Sequence, residues 1–106
     1  MSLIVQKFGG TSVADSGRLR HVAQIITDTY KAGNQVVAVL SAQGDTTDEL
    51  IEKAREINPG ASTREMDMLL STGEQISVAL CAMAVEALGF PVVSLTGWQA
   101  RMVTNT

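Results

Sequence analysis

Apolar positions along the chain fall into blocks whose spacing shifts between two residues and three or four. Leu3, Ile4 and Val5 open a short run that ends in Gln6, Lys7 and Phe8. Its brevity, its β-branched content and the Gly9-Gly10 stop predict a buried strand. Leu19, Val22, Ile26 and Thr29 or Tyr30 then recur at helical intervals. They predict a helix over about 15–32, with Gly33 as its C-cap. The stretch QVVAVLS, from Gln35 to Ser41, reads as a second strand, apolar on both faces, which suits the middle of a parallel sheet.

Residues 43–46 form a loop, and Thr46 with Glu49 has capping-box spacing for a helix to about 57. Asn58-Pro59-Gly60 breaks it. Ser62 with Glu65 is a second capping box. A long helical pattern follows to Leu88, carried by Met66, Leu69, Leu70, Ile76, Leu80 and Met83. Gly73 weakens that helix midway, where Ser71 with Glu74 offers a restart cap, and Gly89 closes it. A third strand is expected over 91–95, then the block TGWQA and a short fourth strand over 101–104. Strand, helix, strand, helices, strand predicts an α/β fold with a parallel sheet covered on both faces. A sheet of three or four strands is small, so the chain is expected to be part of a larger domain.

Composition narrows the partners. The chain has 106 residues, 45% apolar and 18% charged, as in ordinary soluble α/β proteins. Its net charge of −3, with Lys and Arg scattered, argues against nucleic acid or an anionic membrane as main partner. Cys81 is the only cysteine, so no intrachain disulfide forms, and a reducing, cytoplasmic setting is expected. The N-terminus lacks the charged start of a signal peptide. No apolar stretch is expected to reach the roughly 18 residues that span a membrane.

Chemistry collects at the strand ends. Ligands of open parallel sheets sit outside the carboxyl ends of the strands. Here those ends carry Lys7-Phe8-Gly9-Gly10-Thr11-Ser12, then Ser41 with Gly44 to Thr47, then Ser94, Thr96 and Gly97. Glycines let backbone N–H groups approach a phosphate, an adjacent helix start adds a positive dipole end, and Lys7 would add a full charge. The P-loop spacing is absent. A tight turn beside a snorkelling lysine fits the same residues. Glu74 is either a cap for a restarted helix or a ligand carboxylate. Thr46 and Thr47 are either caps or donors to a substrate carboxylate. Met66, Met68 and Met83 are read as core fillers, as is Cys81. Trp98 and Arg101 suit a ligand or an interface equally. His21 stands alone, with no metal-ligand cluster, so no metal site is expected from the protein itself.

Four blocks carry a family resemblance. VQKFGGTSV (Val5 to Val13), SAQGDTTDEL (Ser41 to Leu50), REMDMLLSTGEQIS (Arg64 to Ser77) and SLTGWQA (Ser94 to Ala100) resemble the aspartate kinases of the amino-acid kinase family. They occur in order and span nearly the whole chain. The resemblance implies a three-layer α/β/α sandwich, present only in part. It implies transfer of the ATP γ-phosphoryl group to the side-chain carboxylate of L-aspartate, the first step toward lysine, threonine and methionine. On this resemblance Lys7, Gly9, Gly10, Thr11 and Ser41 would hold the ATP phosphates, with Lys7 stabilising the group in transfer. Thr47 and Glu74 would bind aspartate, Glu74 through its ammonium, and Mg²⁺ would arrive with the nucleotide. Gln43 departs from the methionine expected in its block.

Kinase domains of this family are more than twice this long, and their second half holds the base pocket and an arginine for the substrate. Residues 1–106 are therefore expected to be the N-terminal portion of a catalytic domain, without a regulatory domain, and inactive alone. Pairing with the missing part, or with another copy, would complete it. The alternatives are a folded non-catalytic association module and another amino-acid kinase.

Overall fold

A computed structural model describes residues 2–94. Leu95, the TGWQA block and the expected strand over 101–104 lie outside the described residues, Trp98 and Arg101 with them. The order is β1 (Leu3–Phe8), α1 (Ser16–Lys31), β2 (Gln35–Leu40), α2 (Thr46–Ile57) and α3 (Thr63–Ala87). β1 and β2 run parallel, in register from Leu3 opposite Gln35 to Phe8 opposite Leu40.

Alternation along the strands decides which face is covered. Even-numbered Phe8, Ala38 and Leu40 pack on Leu19, Val22 and Ala23 of α1 and on Cys81 and Val85 of α3. Odd-numbered Leu3, Val5, Val37 and Val39 remain 64%, 56%, 47% and 49% exposed. Among the described residues the sheet therefore has helices on one face only. This corrects the expectation of cover on both faces, and matches a three-layer sandwich present in part. β2 is indeed apolar on both sides, but one of them lacks a partner.

Caps fix the helices. The Asp15 carboxylate accepts from the Arg18 N–H at 2.8 Å at the start of α1, and Ser62 Oγ accepts from the Glu65 N–H at 3.3 Å at the start of α3. α3 ends in a Schellman motif. Gly89, at φ +88°, donates to Glu86 and Phe90 donates to Val85. The Phe90 ring then stands edge-on to Tyr30, centroids 5.8 Å apart.

Three further expectations change. Pro91 to Ser94 form no strand. Pro91 has no N–H to give a ladder, while Phe90 and Val92 instead pack against the core. α3 does not restart at Gly73 but runs through it. Ser71 Oγ donates to the Met68 carbonyl at 2.8 Å and Thr72 Oγ1 to the Leu69 carbonyl at 2.6 Å, so neither hydroxyl caps a new helix. Met68 and Met83 are largely exposed and fill no core gap, because the buried stripe of α3 is Gly73, Ser77, Cys81 and Val85.

α3 also carries an 18-residue window of mean hydropathy 1.5, long and apolar enough to cross a bilayer by composition alone. The sequence expectation was of no such stretch. The window arises because α3 supplies the core stripe and an adjoining apolar flank of Ile76, Leu80 and Met83. Its buried stripe is already packed against α1, α2 and β2.

Candidate functional site

The loops after β1 and β2 leave the sheet at the same edge, and the backbone joins them. Four consecutive carbonyls of the first loop are engaged. Phe8 accepts from the Ser41 N–H at 3.0 Å, Gly9 from Ser12 at 3.0 Å and Gly10 from Gly44 at 3.1 Å. The Thr11 carbonyl accepts from Arg18 Nη1 at 2.7 Å. The intervening N–H groups of Gly9, Gly10 and Thr11 donate to no described residue. Three successive free donors, with the neighbouring acceptors all occupied, give a backbone segment whose unspent polarity is positive. That is the electrostatic requirement for holding an oxyanion.

The two glycines differ in reason. A Cβ at Gly10 would stand 2.9 Å from the Ala42 carbonyl oxygen, so the close approach of the loops requires glycine. A Cβ at Gly9 would meet nothing within 4 Å. Packing within the described protein gives no reason for glycine there, whereas close approach by a ligand would.

Lys7 and Ser41 are exposed at the same edge. Lys7 sits opposite Val39 in the ladder, among the uncovered odd-numbered positions. Among the described residues, no hydrogen bond or ion pair engages the side chains of Lys7, Ser41, Thr47 or Glu74.

Thr47 and Glu74 are brought to this edge by a helix contact. Gly73 is buried, and a Cβ on it would lie 2.9 Å from Ala42 Cβ and 3.3 Å from Thr46 Cγ2. α3 thus lies directly on the β2–α2 loop, and Thr47 and Glu74 each follow a residue of that contact. Two alternatives of the sequence fall. Thr46 is the first helical residue, its methyl turned to Gly73, and is not the N-cap. Asp45 holds that place and makes no side-chain cap bond. Glu74 caps nothing, since α3 is unbroken.

The expected dipole contribution is already partly spent. At α1 the first-turn N–H of Arg18 is already taken by Asp15. Each helix start keeps part of its positive end: no side chain caps α2, although its Thr46 N–H bonds the Gln43 carbonyl at 2.8 Å. Its acidic Asp48 and Glu49 offset part of this.

Burial pushes the Cys81 thiol above its usual range, which keeps it protonated and inert, as a core residue. Among the described residues no group of His, Cys, Asp and Glu is placed to hold a metal ion. The sequence reading missed Arg18, whose reach back to Thr11 has no spacing signature. It also missed Ala42, which looks like loop filler until the two loops are seen in contact.

Comparison with known proteins places the chain in a family. Residues 2–105 match the family model described as the amino acid kinase family. The chain is 58% identical over 105 residues to an aspartokinase of Mycolicibacterium smegmatis, covering 99% of this chain and 25% of that protein. It is 56% identical to an aspartokinase of Geobacillus stearothermophilus, covering 26% of it. The fold is similar to a crystal structure of aspartate kinase from Synechocystis, with a TM-score of 0.85 and 53% identity. That likeness covers 88% of this chain and 16% of the solved one. The chain thus spans about a quarter of the length of the curated relatives it matches.

Proposed function

This chain belongs to the amino acid kinase family, and we propose that it forms the phosphate-holding, N-terminal part of an aspartate kinase. The reaction is transfer of the γ-phosphoryl group of ATP to the side-chain carboxylate of L-aspartate, giving 4-phospho-L-aspartate and ADP. The observation that carries this reading is the run of N–H groups at Gly9, Gly10 and Thr11, beside Lys7, that donate to no described residue. The names and identities of the relatives support aspartate as the acceptor over other substrates of the family.

The roles follow from charge. Phosphoryl transfer is catalysed chiefly by positioning and by neutralising charge on the moving group. The Gly9–Thr11 donors would hold β- and γ-phosphate oxygens, and the Lys7 ammonium would offset charge as the bond to the leaving ADP lengthens. Ser41, joined to β1 through the Phe8 carbonyl, would hydrogen-bond the same phosphates. Glu74 would pair with the aspartate ammonium, and Thr47 would donate to a carboxylate of the substrate. Mg²⁺ would arrive with the nucleotide and supply further charge neutralisation at the phosphates. A cytoplasmic setting accompanies this chemistry.

One experiment tests the reading. ADP formation is followed with MgATP, with and without L-aspartate, for the 106-residue chain and for Lys7→Ala, alongside calorimetric titration with MgATP. Lys7-dependent nucleotide binding supports it, and so does aspartate-dependent turnover lost in Lys7→Ala. Absence of both, or turnover on glutamate or UMP in place of aspartate, contradicts it.

A second reading, an association module, is favoured by the uncovered face of Leu3, Val5, Val37 and Val39. Such a face pairs with a further part of the same domain or with a second copy. It is compatible with the kinase reading, because pairing would add the positioning groups that this stretch lacks.

A further inference from the structure

We propose that Arg18 is a positioning residue for the phosphate-binding turn, acting through the Thr11 carbonyl and not by contact with the phosphate. The inference rests on the kinase reading above and assigns a new residue to that site.

The Gly9–Ser12 turn has little of its own to hold it. Gly9 has open space around its Cα, and glycine is the residue with most backbone freedom to lose. Three backbone bonds fix the Phe8, Gly9 and Gly10 carbonyls. The Thr11 carbonyl is the fourth, and its partner is the Arg18 guanidinium at 2.7 Å. A charged donor makes this the strongest of the four. Without it the Thr11–Ser12 peptide keeps only the bond from its Ser12 N–H to the Gly9 carbonyl, and tilting of that unit would turn its unpaired carbonyl toward the place where an oxyanion would meet donors.

Arg18 is itself held. Its N–H bonds Asp15 Oδ1 at 2.8 Å, and Nε lies 3.8 Å from Asp15 Oδ2. The exposed ion pair is worth little energetically. Its use is to aim the side chain, so that the residue capping α1 also sets the direction of the arm that holds the loop. Val13, fully buried between them, anchors the intervening backbone in the core.

The test uses inorganic tripolyphosphate as probe, titrated into the chain, Arg18→Ala, Arg18→Lys and Lys7→Ala at several salt concentrations. Hydrogen exchange of the Ser12 amide is measured without ligand. Loss of Arg18 should raise Kd about tenfold, equivalent to one hydrogen bond of ~1.4 kcal/mol. The arginine's charge lies within a Debye length of the turn, so the slope of log Kd against log salt should fall modestly in Arg18→Ala and hold in Arg18→Lys. Ser12 exchange should quicken before any ligand is added, and Arg18→Lys should recover most of the loss. Arg18 is half-exposed, so far-UV dichroism should remain that of the parent.

Unchanged Kd in Arg18→Ala with binding lost in Lys7→Ala overturns the inference and leaves the kinase reading intact. Lost affinity in Arg18→Ala with Ser12 exchange unchanged also overturns it, since the charge would then act on the phosphate directly and not through the turn. No tripolyphosphate binding by the parent chain overturns the kinase reading, and this inference with it.

Discussion

Gly73 of α3 and Ala42 of the β2–α2 loop lie so close that a Cβ on the glycine would stand 2.9 Å from the alanine Cβ. This contact draws the helix bearing Glu74 onto the loop before Thr47. Gly73→Ala must therefore shift α3 or the loop, an overpacking cost of about 1–3 kcal/mol. Gly17, in the first turn of α1, has only Asp15 Oδ1 at 3.5 Å and no positive φ. Gly17→Ala should stabilise by up to ~1 kcal/mol through helix propensity. Thermal unfolding of both variants checks the pair: one should fall in Tm and the other rise. A rise for Gly73→Ala would show that the contact is loose.

Helix caps give a graded prediction. Asp15→Ala removes a formed cap bond and should cost about 1 kcal/mol. Asp45→Ala, at a position without one, should be near neutral. Urea unfolding midpoints at unchanged slope should separate the two. Equal losses would contradict the difference in cap geometry.

The periodicity of the sequence carries the element order well, because α1 and α3 have buried stripes at three- and four-residue spacing and each strand has a covered alternate face. Ser62 caps as its spacing with Glu65 predicts. Gly73 was legible only as a weakness, since the reason for it is Ala42, thirty-one residues earlier in a loop. The Thr46 reading fails for a similar reason: its methyl is engaged by α3, so the capping position falls one residue earlier. Likewise, the third strand needs an edge to pair with, and local propensity at Val92 and Val93 does not report one. Lys7, Gly9 and Gly10 were readable as a candidate anion site from their chemistry alone. The occupation of four successive carbonyls was not, because two of the donors, Ser41 and Gly44, come from another loop.

Cys81 sets a pH dependence. Burial raises its thiol pKa above the reference of 9.0, so the folded state holds the proton more tightly than the unfolded one. Its contribution to stability is therefore complete below about pH 9 and is lost as pH rises from there through the folded pKa. Cys81→Ala should flatten that alkaline decline at some cost in packing. In the parent chain a thiol reagent at pH 8 should label Cys81 only at the rate of opening. Rapid labelling of folded protein would contradict its burial.

The uncovered sheet face should be sticky but not structural. Val37→Lys with Val39→Lys adds charge to half-exposed positions, so Tm should change little. Any concentration-dependent association seen in sedimentation velocity should weaken. Persistent association of the double variant would place the contact elsewhere, the apolar flank of α3 being the next surface to vary.

The most direct test of the central claim is a ¹⁵N amide titration of the chain with MgATP. The account predicts that the largest, saturable shifts fall on Gly9, Gly10 and Thr11, and that they vanish in Lys7→Ala. Shifts confined to other elements, or none at millimolar nucleotide, would contradict a phosphate site at this edge.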